Sequence, residues 1–290
     1  MNLVTADNKK IWSKNKKNLL VGNWCVDNEH KYKKTEKKKY LIQKYHWDNK
    51  LKFKKDFKYL HKVYNKLLDN LCLNLNKFHK AKNSKQYWEI ILYKWLWVYL
   101  FRIYDMWEIV RIIKLKNKKL SSKNILFKLK NFTPDDSNEF STSMMFSNDW
   151  NHWIYTEIFK FLGNINYKYI NKKEVKPKFW YKKNQYRSAN YLLNSISGLP
   201  SSEKKYFQNT CFSKEFEITH RIFNRQFRVS QEISLKGFDN SLNMKARLKL
   251  IKLSKKEDKF SKFAHSLFKY QIPKFYLEYY QKVKEKIEKS

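Results

Sequence analysis

The sequence predicts an α/β fold rich in helix, with a small sheet near the N-terminus packed by long amphipathic helices. Three observations predict it. Three apolar runs of strand length fall within the first fifty residues. Two long segments with apolar residues at helical spacing follow them. The chain has 290 residues, 42% hydrophobic and 18% aromatic, enough to bury a real core and far from a disordered polymer.

The strand candidates come first. NLVTA, NLLVG from Asn18 and KYLIQKY from Lys39 are each bounded by polar residues. A helix is then predicted from about Leu51 to Lys80. Its stripe runs Phe53, Phe57, Leu60, Tyr64, Leu67, Leu71, Leu75 and Phe78, at steps of three and four, with lysines opposite. A second helix spans about Lys85 to Leu115, with Asn83 or Ser84 as N-cap. Trp88, Ile91, Trp95, Val98, Tyr99, Tyr104 and Trp107 make it apolar over most of its circumference, which places it in the centre of the domain. Lys116–Lys130 is basic and without period, and Thr133–Ser141 reads as an acidic loop with turn chemistry. DWNHWIYTEIFKFLG, from Asp149, reads as a capped helix closed by Gly163. Asn164–Lys183 reads as irregular. A helix is expected from Tyr186 to Gly198, followed by two or three amphipathic segments. The domain is placed at residues 1–270, with 271–290 as a linker helix that starts after Pro273.

The formal net charge of +37 suggests a polyanion partner, nucleic acid or an anionic membrane surface. A compositional reading competes. Only seven basic residues are arginine and 56 are lysine; Asn, Ile, Phe and Tyr abound, while Gly and Pro number four each. AT-rich codons give that set, and arginine, the residue suited to bidentate phosphate recognition, is what the chain lacks. The lysines are spread over nearly every segment, which disfavours nucleic acid. The single-stranded nucleic-acid binder stays as the alternative on stretches such as KPKFWYKKNQYR, Lys176–Arg187. Peripheral attachment to the anionic inner membrane leaflet would rest on clusters such as Lys33–Lys39.

Cys25, Cys72 and Cys211 are odd in number and far apart, which argues against a disulfide framework or a zinc site and fits a reducing cytoplasm. MNLVTADNKK shows no signal-peptide core. Ile90–Phe101 is the most apolar stretch, but it contains Lys94 and falls well short of the roughly 20 apolar residues that span a bilayer. Gly22, Gly163, Gly198 and Gly237 stand far apart, so neither a P-loop nor GxGxxG can be written. No cofactor-binding or metal-binding set is read from the chain.

Two places carry candidate chemistry. In open α/β sheets, ligands bind beyond the carboxyl ends of strands. Gly22 permits a tight turn after the second strand, and Asn23, Trp24 and Cys25 are expected to project at the rim. In YHWD, Tyr45–Asp48, His46 and Asp48 stand at the equivalent place after the third. Imidazole and carboxylate serve acid–base and orienting roles. Tryptophans such as Trp24 and Trp47 offer faces on which sugar rings or bases stack. Asp7, after the first strand, is a third contributor. The competing reading makes His46 and Asp48 helix-capping residues and both tryptophans core.

LVTADNKKIW, NLLVGNWC, YHWDNKLKFKKDF through LNLNKFH, and SKQYWEIILYKWLWVYLFRIYDMWE resemble, in order and spacing, a transferase family of bacterial O-antigen and surface-polysaccharide gene clusters. Its pattern runs T-x-A-D-x-x-x-W, G-E-W-C, Y-H-W-D-D, L-N-x-x-H, R-Y-W-R and D-R-W-E. DWNHWIYTEIF and IPKFYLEYY look like further landmarks. Asp7, Trp24, Cys25, His46, Trp47, Asp48, Tyr87, Trp88, Asp105, Trp107 and Glu108 match; Asn23, Asn49, Gln86, Glu89 and Met106 replace charged family positions.

The resemblance implies the acceptor-side, N-terminal half of a GT-B-like two-domain transferase. The missing C-terminal half would resemble CDP-glycerol glycerophosphotransferases and would bind the nucleotide-activated sugar or glycerol donor, encoded separately. It implies a glycan acceptor and a cytoplasmic place, peripheral on the inner membrane. His46 becomes the candidate base with Asp48 orienting it, and Asp7, Asn23, Trp24 and Trp47 the candidate substrate-binding residues.

Overall fold

The computed structural model describes residues 1–26, 40–179, 241–250 and 257–288. All of them belong to one compact unit built from Met1–Trp180 and Asp239–Ser290. The cluster Lys33–Lys39, the helix expected from Tyr186 to Gly198, and Cys211 lie outside the described residues.

Five parallel strands form one sheet: β1 (Asn2–Val4), β2 (Asn18–Leu20), β3 (Tyr40–Ile42), β4 (Ser121–Asn124) and β5 (Asn166–Tyr169), in the order β3-β2-β1-β4-β5. Leu3 pairs with Leu19 on one side of β1 and with Ser122 on the other. The central strands β1 and β2 are buried throughout, which is why they read as continuous apolar runs. The edges differ. Leu41 and Ile42 of β3 are 42% and 41% exposed, and β5 is exposed at every residue.

β4 and β5 lie in stretches that the sequence marks only as basic or irregular. SSKN has no apolar run because only Ser122 and Asn124 turn inward, and NYKY is an edge strand with no face to bury. Backbone ladders place both. The strand order reverses between β1 and β4, which creates a switch point at their carboxyl ends.

Helix α1 (Lys50–His79) is capped by the Asn49 side chain, which accepts from the Lys52 N–H. Leu60, Tyr64, Leu67, Leu71 and Leu75 of its stripe are buried. The stripe ends differ from the prediction: Phe53, Phe57 and Phe78 stay 37–40% exposed, because the packed partners cover only the middle of the helix. Helix α2 (Lys85–Lys116), capped by Ser84, is the centre of the core, with Trp88, Trp95, Tyr99, Ile103 and Val110 fully buried. It packs on α1, on the single turn α3 (Ser137–Glu139), on α4 (Asn148–Leu162), and on the helix Lys259–Ser266. α4 starts at its Ser147 cap and ends at Gly163, whose φ of 63° suits a residue without Cβ.

The C-terminal segments close the core. Arg247 is fully buried between the Glu278 carboxylate, at 2.6 and 2.7 Å, and the Ile272 carbonyl. The Gln271 side chain accepts from the Trp150 indole at 2.9 Å. From Gln271 on, the chain lies against the Asp135 loop and the end of α1: Lys274 pairs with Asp135 at 2.7 Å, and His79 bonds the Tyr276 carbonyl.

Candidate active site

The carboxyl ends of the strands carry the polar residues. At the end of β1, Thr5 Oγ1 lies 2.5 Å from His152 Nδ1 on α4. The Ile125 N–H, just past β4, donates to His152 Nε2 at 3.1 Å. Nε2 therefore accepts, Nδ1 carries the hydrogen, and it donates to Thr5. Full burial pushes His152 down to about 4, so it is neutral near pH 7. This imidazole ties α4 to both strands of the switch point. Beside it, Ser122 donates to Asn124 Oδ1 at 2.8 Å, while the buried Asn124 Nδ2 has no protein partner. Asp7 is partly exposed, and its N–H bonds Asn148 Oδ1 at 3.1 Å.

At the end of β2, two of the three residues expected at the rim reach solvent. Asn23 is exposed and Trp24 partly so, but Cys25 turns inward. Its thiol donates to the Val4 carbonyl at 3.3 Å, and burial pushes it up to about 12. It is a core thiol and no nucleophile. Gly22 matters through space rather than through backbone conformation: a Cβ there would sit 2.2 Å from the Trp24 ring.

The YHWD segment caps β3 with a short 3-10 turn, His46–Asp48. His46 is buried, its side chain 1% exposed, and its partner is Asp105 of α2, at 3.0 Å from Nε2. Asp48 is exposed on the rim and does not orient His46. Asp105 also accepts from Arg102 at 3.1 Å, and Arg102 reaches Asn151 of α4 at 2.6 Å. The Arg102 guanidinium lies over the Trp24 ring at 5.6 Å. One chain of contacts thus joins the ends of β2 and β3 to α2 and α4. Because a carboxylate only accepts, His46 Nε2 carries the hydrogen of this bond. Nδ1 has no protein partner, and neither do Trp24 Nε1 nor Arg102 Nε.

Trp47 leads to a second network. Its indole donates to Asp56 at 3.0 Å, and Tyr104 donates to the other oxygen at 3.0 Å. Lys52 bridges Asp56 at 2.5 Å and Glu108 at 3.0 Å. Arg111 grips Glu108 through two bonds of 2.6 and 2.8 Å. Burial alone would raise the Glu108 carboxyl, but Arg111 and Lys52 outweigh it and hold it below its ordinary value. An open cleft of about 510 Å³ lies over this network, lined by Asn49, Lys52, Lys55, Tyr104, Glu108 and Arg111 among others. His46 does not line it; Trp47 stands between, its ring 4.8 Å from His46 and stacked on Tyr104 at 6.3 Å.

Arg102, Asp105, Asp56 and Glu108 are absent from the sequence-derived site set. The signal for the two acids on α2, Asp105 and Glu108, was present: YDMWE puts both in the middle of an apolar helix, where a carboxylate is buried only if paired. Among the described residues, no group of three His, Cys, Asp or Glu side chains converges as a metal site, and no helix is long and apolar enough to cross a membrane.

The arrangement offers a buried, oriented imidazole whose Nδ1 has no protein partner, separated by Trp47 from a cleft with paired charges and an aromatic floor. Among known families, residues 1–290 match the model described as LIC12162 family transferase. No curated protein and no solved structure matches the chain.

Proposed function

The chain belongs to the LIC12162 transferase family, and on that premise we propose that it moves a sugar or glycerol phosphate unit onto a glycan acceptor in surface-polysaccharide synthesis of the O-antigen type. The donor is nucleotide-activated and is held by a C-terminal half of the kind implied by the motif resemblance. This chain supplies the acceptor side.

The His46–Asp105 pair carries this reading. His46 Nδ1 takes the proton from the acceptor hydroxyl as that oxygen attacks the donor, and the nucleotide departs with the bonding electrons. Asp105 holds the ring in the productive tautomer and faces the imidazolium that forms, while Arg102, itself held by Asn151, fixes Asp105. The glycan lies in the cleft over Tyr104, where Lys52, Arg111 and Asn49 meet hydroxyls. On the same reading Asp7, Asn23, Trp24 and Trp47, at or just past the carboxyl ends of the strands, make further contacts to the acceptor outside that cleft, and Asp48 adds a solvent-facing carboxylate. Tyr45, 40% exposed with its ring 5.3 Å from that of His46, is the residue that swings to admit the hydroxyl.

The test is nucleotide release from sugar-nucleotide or CDP-glycerol donors with glycan acceptors, assayed with the donor-binding half present. His46→Ala lowers turnover about 10²–10⁴-fold. Turnover within a few-fold of wild type in a folded His46→Ala protein refutes the base role.

A further inference from the structure

Beyond the cleft, α1 and α2 share an outward seam that nothing in the described residues covers. Its side chains are aromatic and in mutual contact. Trp47 meets Phe53 at 5.5 Å and Phe101 at 6.0 Å; Phe57 meets Trp97 and Phe101, each at 5.7 Å; Trp97 stacks on Tyr93 at 6.2 Å. Ile90, 74% exposed, extends the line by one turn beyond Tyr93, itself 51% exposed. From Ile90 to Phe101 the ridge runs about 16 Å along α2 at the helical rise. These are the exposed ends of the α1 stripe and one face of an otherwise buried helix.

Lysines rim the ridge. Lys50, Lys54 and Lys58 follow one flank of α1 at turn spacing, and Lys94 stands beside Tyr93 on α2. All four are exposed, and none has an ion-pair partner among the described residues. The carboxylates near it are Asp48 and Glu89, together with the buried Asp56, which bonds the Trp47 indole and pairs with Lys52.

We propose that this ridge seats the protein on an anionic lipid bilayer. Phe53, Phe57 and Ile90 offer apolar surface, Tyr93 and Trp97 add rings with polar edges, and lysines flank them, the pattern of surfaces that lie at the headgroup level. The lysines choose between occupants. Lysine is depleted at protein–protein interfaces, whereas each one near an anionic leaflet gains attraction. Lysine stems also reach back from an immersed ring to the headgroups. The ridge ends at Trp47, next to His46. On the reading that His46 serves a glycan acceptor, docking by this face brings the site to the bilayer surface, where a lipid-anchored acceptor is presented.

Vesicle co-sedimentation tests the docking without any turnover assay, so its failure is separate from failure of the catalytic reading. The full chain binds phosphatidylcholine vesicles containing about 30% phosphatidylglycerol and leaves pure phosphatidylcholine in solution. A chain of net charge +37 adheres to any anionic surface, so the decisive variant leaves charge alone. Ile90→Ser with Tyr93→Ser, both exposed and tolerable to the fold, weakens binding at least ten-fold. Lys54, Lys58 and Lys94→Gln weakens it more than the charge-matched triple Lys172, Lys173 and Lys176→Gln, with folding of each variant checked by circular dichroism. Equal binding by wild type and the Ile90/Tyr93 variant overturns the proposal, as does equal loss in the two lysine triples. Capture of the donor-binding half by this face, with no vesicle binding, assigns it to a protein and overturns it too.

Discussion

Acid weakens this protein through His152 in a way that can be isolated from every other titration. The side chain is wholly buried, accepts from Ile125 and donates to Thr5, and burial lowers it from 6.5 to about 4. The folded state therefore refuses a proton that the unfolded chain takes up. The stability this neutral imidazole supports is whole above pH 6.5 and is lost as the pH falls through that value toward 4. The span of about 2.5 pH units corresponds to at most about 3 kcal/mol, of which about 2 kcal/mol is gone at pH 5. Urea unfolding followed by tryptophan fluorescence, at pH 7.5 and 5.0, measures the loss. Carboxylates contribute as well, so the control is His152→Gln, which keeps one acceptor and one donor near the same places but cannot titrate. Its loss between the two pH values should be smaller than that of wild type by about 2 kcal/mol. Equal losses in the two proteins would refute the assignment of His152 as a neutral tie at the switch point. His265, which burial also lowers to about 4, is common to both proteins and cancels.

Glu108→Gln leaves Arg111 and Lys52 without their shared carboxylate; with both cations partly solvated, the cost is about 1–3 kcal/mol, read from the urea midpoint at pH 7. The same variant shows the smaller acid sensitivity, because the depressed Glu108 carboxyl gives stability above pH 4.5 that wild type loses as the pH falls through its lower folded value. Gly22→Ala drives a methyl group to within 2.2 Å of the Trp24 ring, which Arg102 covers; the fold loses about 1–3 kcal/mol and the Trp24 environment shifts in near-ultraviolet circular dichroism.

The helices and central strands were legible because their burial is local and periodic. One face of α1, most of α2 and both faces of β1 and β2 meet apolar neighbours, so the letters alternate or run as geometry demands. The start of α2 and the end of α4 were legible too, since Ser84 and Gly163 act on their own neighbours in sequence. β4 and β5 were not, for Ser122, Asn124 and Tyr167 are placed by hydrogen bonds to strands more than forty residues away rather than by their own hydrophobicity.

The candidate site divides the same way. The sequence by itself determined that His46, Trp47 and Asp48 follow a strand, and that Asn23 and Trp24 follow another, because a turn after an apolar run must present polar side chains at the sheet rim. Only the tertiary structure decided the partners. Asp105 stands 59 positions from His46, and Asn151 stands 49 from Arg102. Such pairs have no period and no local propensity. They exist because a buried charge is stable only where folding brings its counter-charge, and the packing of α2 and α4 against the strand ends supplies it. The same packing turned Cys25 inward and left Asp48 in water, choices that the adjacent letters N-W-C and H-W-D do not contain.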